Sequence, residues 1–171
     1  MDLAESPTLS PREVILRYGL RPHPEGGHFR EVYRSARRLS ALPGDSRERA
    51  AVTAIYFLLS GGEFSAFHRV RSDELWIHLA GAPLELVLLE KGPRSHRLAP
   101  AGGKDTPLVA VPAGVLQAAR SFGEWTLVTC VVAPGFDFAD FEMPSQEDLL
   151  KIYPTHSDLI RRFTRYSPVP R

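Results

Sequence analysis

The feature that most constrains the fold is a succession of short apolar runs between about residues 27 and 134. The runs are rich in β-branched and aromatic residues and are separated by Gly and Pro, as β-strands are. They cover residues 28–34, 51–59, 64–70, 74–79, 84–89, 94–98, 107–111, 115–120 and 125–133. No helical pattern of about ten residues lies between them, which disfavours a parallel α/β architecture. The sequence therefore predicts an antiparallel all-β sandwich or barrel.

Helical signals lie near the two ends of the chain. Ser10 and Glu13 have the spacing of a capping box, Pro11 suits the first helical position, and Gly19 suits a left-handed C-cap, which predicts a helix over 11–18.

Two further helices are predicted between about residues 145 and 165, with Ser145 and Thr155 as their N-caps and Pro154 ending the first. The second would carry an apolar stripe of Leu159, Ile160 and Phe163. Residues 39–50 have the composition of an exposed loop or lid.

Composition narrows the classes of partner. The chain has 171 residues, the size of one domain, and 21 basic against 20 acidic residues give a net charge of +1. The basic residues are scattered, so nothing favours a nucleic-acid polymer or an anionic membrane as the partner. Cys130 is the only cysteine and lies in an apolar run, which is typical of an inert core thiol in a reducing compartment. We expect a cytoplasmic protein with neither a secretory signal nor a membrane span.

His68 and Glu74 are the main candidates for chemistry. They are six residues apart, and Arg71-Ser72-Asp73 between them can form a hairpin turn. Alternation places Phe64, Ala66, His68 and Val70 on one strand face, and Glu74, Trp76 and His78 on one face of the next. If both faces point into a barrel, His68 and Glu74 converge, and Gln117 joins them along 115–119. Ionisable side chains in a pocket suit acid-base chemistry, although a buried His can equally be a satisfied core residue.

These residues stand in a pattern that resembles the two motifs of the cupin superfamily. The matching positions are Gly62, His68, Glu74, Gly81, Pro112 and Gly114. Further similarity at 23–30, 54–59, 67–76 and 131–138 resembles the Cupin_5 group, a domain family of unknown function, over about residues 10 to 155. The resemblance implies a double-stranded β-helix, an antiparallel jelly-roll barrel at about 27–134 within a single domain 1–171. It also implies a homodimer.

The same resemblance raises the question of a metal. Two of the four positions that bind metal in cupins differ here, because Val70 and Gln117 replace His. Val cannot ligate a metal and Gln ligates weakly, so we expect no cofactor. A weakly bound divalent metal would use His68, Glu74 and Gln117.

Other side chains are candidate ligand-binding residues with structural alternatives. Trp76 lines the pocket or fills the core, and His78 joins the site only if its strand is uninterrupted. His28 and Arg30 would share a strand face with Val32 and Arg34. An Arg there binds a carboxylate or phosphate, or makes a surface salt bridge.

For two sets of aromatic residues the sequence likewise allows two placements. Tyr56 reaches inward or packs in the core. Residues 134–141, with three Phe and two Asp, cross the barrel mouth or form a dimer contact.

The resemblance and the candidate residues together suggest three functions. The first is a small-molecule-binding cupin acting as a metal-independent isomerase or epimerase on a polar or sugar-nucleotide ligand, since the site resembles metal-independent sugar epimerases of the superfamily. The second is a non-catalytic binding or sensing cupin. The third is a metal-dependent cupin enzyme.

Overall fold

The computed structural model describes residues 9–40 and 47–165. Across these residues the chain forms strands β1 (Arg21–Pro22), β2 (His28–Arg34), β3 (Arg38–Leu39), β4 (Arg49–Ala50), β5 (Thr53–Ser60), β6 (Phe64–His68), β7 (Asp73–Gly81), β8 (Leu84–Leu89), β9 (Pro93–Leu98), β10 (Leu108–Val111), β11 (Leu116–Ser121) and β12 (Trp125–Ala133). The helices are α1 (Pro11–Tyr18), α2 (Gln146–Ile152) and α3 (Ser157–Arg162). Short 3₁₀ turns lie at Phe138–Asp140 and Pro154–His156.

Two sheets form the body of the molecule. In the described part of the chain, one sheet has the order β1-β2-β5-β12-β7-β10, and the other has the order β6-β11-β8-β9. All pairings between these strands are antiparallel. The predicted antiparallel all-β fold with a few flanking helices is therefore confirmed. Each predicted run overlaps one of the strands, although β5 begins at Thr53 instead of residue 51 and β6 ends at His68 instead of residue 70. Strands β7, β9 and β11 extend one or two residues beyond their predicted runs, and the short strands β1, β3 and β4 were not predicted.

Three β-bulges interrupt the described sheets, in β2, β6 and β7, and the first two change which candidate side chains face inward. Between Glu31 and Tyr33, β2 has one residue more than its partner β5, so Glu31 and Arg34 face the same side. The predicted alternation of His28, Arg30, Val32 and Arg34 is therefore wrong at Arg34.

The second bulge lies in β6, opposite β11. It turns Phe64 outward against Phe163, while Ser65 points inward and bonds with Glu25. The predicted common face of Phe64 and His68 is wrong for the same physical reason, an extra residue that interrupts the alternation.

The helices begin and end largely as their local signals predict. Ser10 and Glu13 form the capping box of α1, and Gly19 closes it at φ 60°. Ser145 caps α2 as predicted. Thr155 does not cap α3, because it lies inside the 3₁₀ turn that Pro154 starts, and His156 precedes α3 without a side-chain cap bond.

The predicted loop at 39–50 is shorter than expected. Residues 41–46 lie outside the described part of the chain, and β3 pairs with β4 on either side of them. Arg49 and Ala50 are buried rather than exposed, so the end of this predicted loop belongs to the packed structure.

Three apolar clusters hold the layers together. The largest lies between the sheets and includes Phe57, Trp76 and Leu86. A second packs the small sheet against α2 and α3, with Ile160 and Phe163 buried and Leu159 beside them, as the predicted stripe requires. A third packs α1 against the large sheet. No helix in the described ranges is long and apolar enough to span a membrane.

Candidate functional site

A cavity of about 430 Å³ opens between the two sheets. Its wall contains apolar, acidic and basic side chains from both sheets and from the segment after β12. The lining residues are Arg21, His23, Glu25, Phe29, Glu31, Arg34, Thr53, Ile55, Phe57, His68, Val70, Glu74, Cys130, Val132, Phe136, Asp137, Phe138 and Phe141. The volume lies in the lower part of the ~300–1,000 Å³ range of small-molecule pockets.

His68 reaches the cavity from the end of β6 with a defined tautomer. Its Nδ1 lies 2.8 Å from the carbonyl oxygen of Ala66, and a carbonyl can only accept, so Nδ1 carries the proton. The Nε2 atom of the neutral ring therefore presents a lone pair. Burial lowers the pKa of His68, while the nearby Glu74 partly opposes that effect, so the ring is neutral at pH 7.

Glu25 faces that lone pair. Its Oε2 lies 3.4 Å from His68 Nε2, and its Oε1 accepts a 2.7 Å hydrogen bond from the Ser65 hydroxyl. Burial raises the pKa of Glu25 to about 8, and the Ser65 bond only partly offsets this. At pH 7 the contact therefore joins a protonated carboxyl to a neutral imidazole, because burial disfavours both charged forms.

The backbone around Glu25 explains how it reaches the site. Gly26, at φ 112°, makes the tight turn before β2, and a Cβ there would collide with the Phe64 carbonyl. The Ala66 amide donates to the Glu25 carbonyl at 2.9 Å. The turn is thus held against β6, two residues from His68.

His23 contacts the same carboxyl oxygen but differs from His68 in its tautomer. Its Nδ1 lies 3.3 Å from Glu25 Oε2 and accepts from the Glu25 backbone N–H at 3.3 Å. Burial, together with nearby His68, lowers the pKa of His23 to about 4. Since its Nδ1 lone pair already has a backbone donor, the Glu25 proton is directed to His68.

Glu74 enters the cavity from the opposite sheet through a chain of hydrogen bonds. The Trp76 indole donates to Gln117 Oε1 at 2.8 Å, and Gln117 Nε2 donates to Glu74 Oε2 at 2.6 Å. An indole N–H can only donate, so it determines the orientation of the Gln117 amide. Gln117 is fully buried behind Glu74 and is absent from the cavity wall, as is Trp76.

Burial raises the pKa values of both Glu74 and Cys130, and these two side chains share a hydrogen bond. The Cys130 thiol is therefore protonated at the cavity wall. Its apolar strand position predicted burial, but not that it would meet an acid.

The residues present do not fit the metal site of the motif that the sequence resembles. Val70 lines the cavity without a donor atom, and both ends of the Gln117 amide are committed to Trp76 and Glu74. Within residues 9–40 and 47–165, no group of three or more His, Cys, Asp and Glu side chains is arranged to hold a metal ion.

The aromatic segment 134–141 crosses the cavity mouth. The Phe138 ring stacks on His23 at 6.0 Å between centroids, and the Phe141 ring lies over His68 at 5.4 Å. The segment is attached to β5 through the Phe136 amide, which donates to Thr53 Oγ1 at 2.9 Å. The two rings shield the acid-base group from water.

Charged side chains surround the mouth. Arg34 makes two bonds to Glu31, at 2.9 and 2.7 Å, and a third to the Phe136 carbonyl at 3.2 Å. The Arg21 guanidinium lies over the Phe29 ring, 5.0 Å from its centroid. The bulge in β2 is what brings Arg34 to this face.

The other four predicted ligand-binding residues, like Trp76 and Gln117, lie away from the cavity wall. Arg30 and Tyr56 pair on the outer face of the large sheet, where the guanidinium lies 6.0 Å from the ring centroid. His78 bonds through Nε2 to the Ala82 carbonyl at 3.0 Å. His28 begins β2, where it lies opposite Leu58 of β5, and its side chain does not line the cavity.

Sequence reasoning missed Glu25 and His23 as site residues. Both stand in the segment 23–30 that carries part of the family resemblance. The available signal was the spacing of His23 and Glu25, a His-x-Glu followed directly by two glycines.

Known structures support the fold and the family. A hypothetical protein from Leishmania major is 31% identical, with a TM-score of 0.83 over 92% of this chain and 100% of that chain. Protein SO0799 from Shewanella oneidensis is 33% identical, with a TM-score of 0.83 over 94% and 100%. An oxalate decarboxylase mutant from Bacillus subtilis is 16% identical, with a TM-score of 0.55 over 84% of this chain and 37% of that one, which shows the fold alone.

No curated protein gives a significant match to the chain. The model of the Cupin_5 family, described as "Cupin superfamily (DUF985)", matches residues 12–144. With this match over most of its length and the cupin fold around the cavity, the chain belongs to the Cupin_5 family of the cupin superfamily.

Proposed function

We propose that the protein binds a small polar molecule in this cavity and moves a proton on it, as an isomerase or epimerase does. The observation that carries the proposal is the contact between the Glu25 carboxyl and the Nε2 lone pair of His68 at 3.4 Å. A protonated acid and a neutral base, side by side at the wall of a ligand-sized cavity, are the two groups that general acid-base catalysis needs.

The proposed step begins when a substrate carbonyl accepts the Glu25 proton in place of the imidazole. The His68 Nε2 lone pair is then free to remove a proton from the carbon beside that carbonyl. The C–H bond breaks, an N–H bond forms, and the electron pair moves through the carbonyl to give an enol that carries the Glu25 proton. Return of a proton to carbon, with the enol proton going back to Glu25, gives the isomer.

Glu74 supplies a second ionisable group on the facing sheet. Epimerisation requires groups on both faces of the abstracted carbon, and Glu74 comes from β7 while His68 comes from β6. The 2.6 Å bond from Gln117 holds the Glu74 carboxyl in place. In this proposal, Gln117 and Trp76 are positioning residues, since neither lines the cavity.

The test measures exchange of carbon-bound protons in D₂O by proton NMR. Phenylacetone, dihydroxyacetone and a thymidine diphosphate 4-keto sugar all carry a C–H beside a carbonyl and differ in size and polarity. We expect the protein to accelerate exchange in at least one of them, and His68→Asn to slow it by about a hundredfold or more. Asn can keep the N–H bond to Ala66 but lacks the Nε2 atom, so the fold should be unchanged.

Binding without exchange would overturn the enzymatic proposal. If a compound shifts the NMR signals of the cavity residues and yet exchanges no faster than with His68→Asn, the protein is a binding or sensing cupin. The homodimer and the cytoplasmic location stay predictions.

A further inference from the structure

Arg21 is a charged group at the cavity wall that the proposed proton transfer does not use. It lies in β1 at the rim of the cavity, and its side chain is exposed. Its guanidinium is held over the face of Phe29, a ring that also lines the cavity. A guanidinium stacked in this way keeps its five N–H donors available at the edge of its plane.

The other charged groups at the mouth have partners. Arg34 is bound to Glu31 and to the Phe136 carbonyl, and the Asp137 carboxylate accepts from the Ala139 amide at 2.8 Å. Deeper in the cavity, His23, Glu25 and His68 are neutral at pH 7 because burial disfavours their charged forms. Within the described residues, the Arg21 guanidinium makes no ion pair or hydrogen bond. It is therefore the cation at the wall that is available to pair with an anionic group of a ligand.

The aromatic wall favours an anion over a cation. A cationic ligand needs the negative face of a ring, but Arg21 covers Phe29, His23 stacks on Phe138, and His68 lies against Phe141. One face of each of these three rings is thus already occupied, which leaves fewer ring faces for a cation. Apolar parts of a ligand would meet Ile55, Phe57 and Val132.

We propose that Arg21 binds an anionic group of the substrate, so that the substrate is a small acid with an apolar body. A carboxylate or phosphate would pair with the guanidinium at the rim, and the carbon that loses its proton would lie toward His68. This rests on the proposed function only in taking the cavity as the substrate site.

The test compares the binding of matched aromatic probes by NMR titration. Phenylacetate and phenyl phosphate are anionic, phenylacetamide has nearly the shape of phenylacetate without its charge, and 2-phenylethylammonium is cationic. We expect phenylacetate or phenyl phosphate to bind about tenfold or more tightly than the amide, as a charge-assisted hydrogen bond should provide. The tighter of the two identifies the anionic group.

Arg21→Gln should remove this preference and leave amide binding unchanged. Arg21→Lys should recover only part of it, because an ammonium lacks the bidentate fork. Arg30→Gln is the matched control, since Arg30 also lies over an aromatic ring but on the outer face of the sheet. Circular dichroism and the melting temperature establish that each variant is folded.

Two results would overturn the assignment of an acidic substrate. One is that neither acid binds better than the amide, whether all the probes bind or none does. The other is that Arg30→Gln weakens acid binding as much as Arg21→Gln, which indicates a general effect of charge. The proposed proton transfer is tested separately. If His68 is required for hydrogen exchange in neutral carbonyl compounds, that proposal holds in either case.

Discussion

Glu25 shows how burial can set the protonation state of a single residue. One of its oxygens lies 3.3 Å from His23 and 3.4 Å from His68, distances at which ion pairs are usually assumed. Burial nevertheless raises the pKa of the carboxyl to about 8 and lowers that of His23 to about 4, so neither side is charged at pH 7. A proton is therefore stored inside the cavity without a buried net charge.

The first prediction is that this carboxyl makes stability fall as pH rises. Because its pKa increases from 4.5 to about 8 on folding, the folded state holds the proton more tightly, and stability is lost as pH rises through that window. His23 opposes this at lower pH, since its pKa decreases from 6.5 to about 4 and most of its effect lies below pH 6.5. The free energy of unfolding should therefore fall between about pH 6.5 and 8, by up to about 1.4 kcal/mol per pH unit.

Urea denaturation of wild type and Glu25→Gln at both pH values tests this prediction. Gln keeps an N–H donor toward His68 and an oxygen for Ser65 but does not titrate, so the decrease should be smaller than in wild type. Glu74, whose pKa burial also raises, titrates in both proteins. Equal slopes for the two proteins would show that Glu25 is not the titrating group.

At the scale of the elements, local signals predicted α1 and nine of the twelve strands in the described part of the chain. Capping residues and apolar runs act within a few residues, which is why the helix at 11–18 and the strands at 28–34, 84–89 and 125–133 have the predicted bounds. The bulges in β2 and β6 could not be predicted in this way, because an extra residue is defined only relative to the partner strand.

The candidate site depended on such long-range pairing. His68 and Glu74 could be placed on the cavity wall from alternation and the motif, whereas Glu25 needs Ser65 and Ala66, about 40 residues later, to hold its turn. Arg34 reaches the wall only through the bulge in β2, and Arg30, whose alternation suggested an inward direction, lies outside. Contacts between distant segments decided these outcomes.

The second prediction uses the register of β6 and β11 to build a metal site. Gln117 is the direct neighbour of His68 across the two strands, and Val70 lines the cavity two residues beyond His68. Val70→His combined with Gln117→His should therefore bind nickel or zinc together with His68 and Glu74. Calorimetric titration measures the affinity, with each single variant as a control. A double variant that binds no better than the parent would mean that these four positions do not converge.

The third prediction concerns the attachment of the aromatic segment 134–141. Arg49 bonds to both oxygens of Asp140, at 2.6 and 2.8 Å, and both side chains are almost wholly buried. Asp140→Asn should lower the free energy of unfolding by about 3–5 kcal/mol, because it removes the carboxylate charge that faces the buried Arg49 guanidinium.

Chemical denaturation measures that loss, and two further variants make it specific. Arg49→Met with Asp140→Leu removes both charges and should lose much less than Asp140→Asn alone. Asp105→Asn breaks the exposed pair with Arg97 and should change stability by about 1 kcal/mol or less. A loss for Asp140→Asn as small as that for Asp105→Asn would contradict the structural role of the buried pair.

At the scale of the whole molecule, the fold separates packing from the candidate chemistry. The central cluster, including Leu84, Leu86 and Val128, fills the space between the sheets, and α1 and the C-terminal helices pack on the outer faces. The cavity occupies the remaining part of the barrel interior, beside β1, β2 and the segment after β12. Polar and ionisable residues can therefore line the cavity without a loss of the main apolar contacts.

The fourth prediction is that folding does not depend on a transition metal. The apolar clusters span every layer of the described structure, whereas Val70 and Gln117 stand at two positions where the cupin superfamily motif has His, so a metal would add little to stability. Treatment of the purified protein with EDTA should leave the melting temperature nearly unchanged in calorimetry. The Val70→His and Gln117→His double variant, loaded with zinc, is the positive control and should lose stability on chelation. A decrease of more than about 10 °C in the unaltered protein, several times the shift expected per kcal/mol, would instead show that a bound metal contributes to its folding.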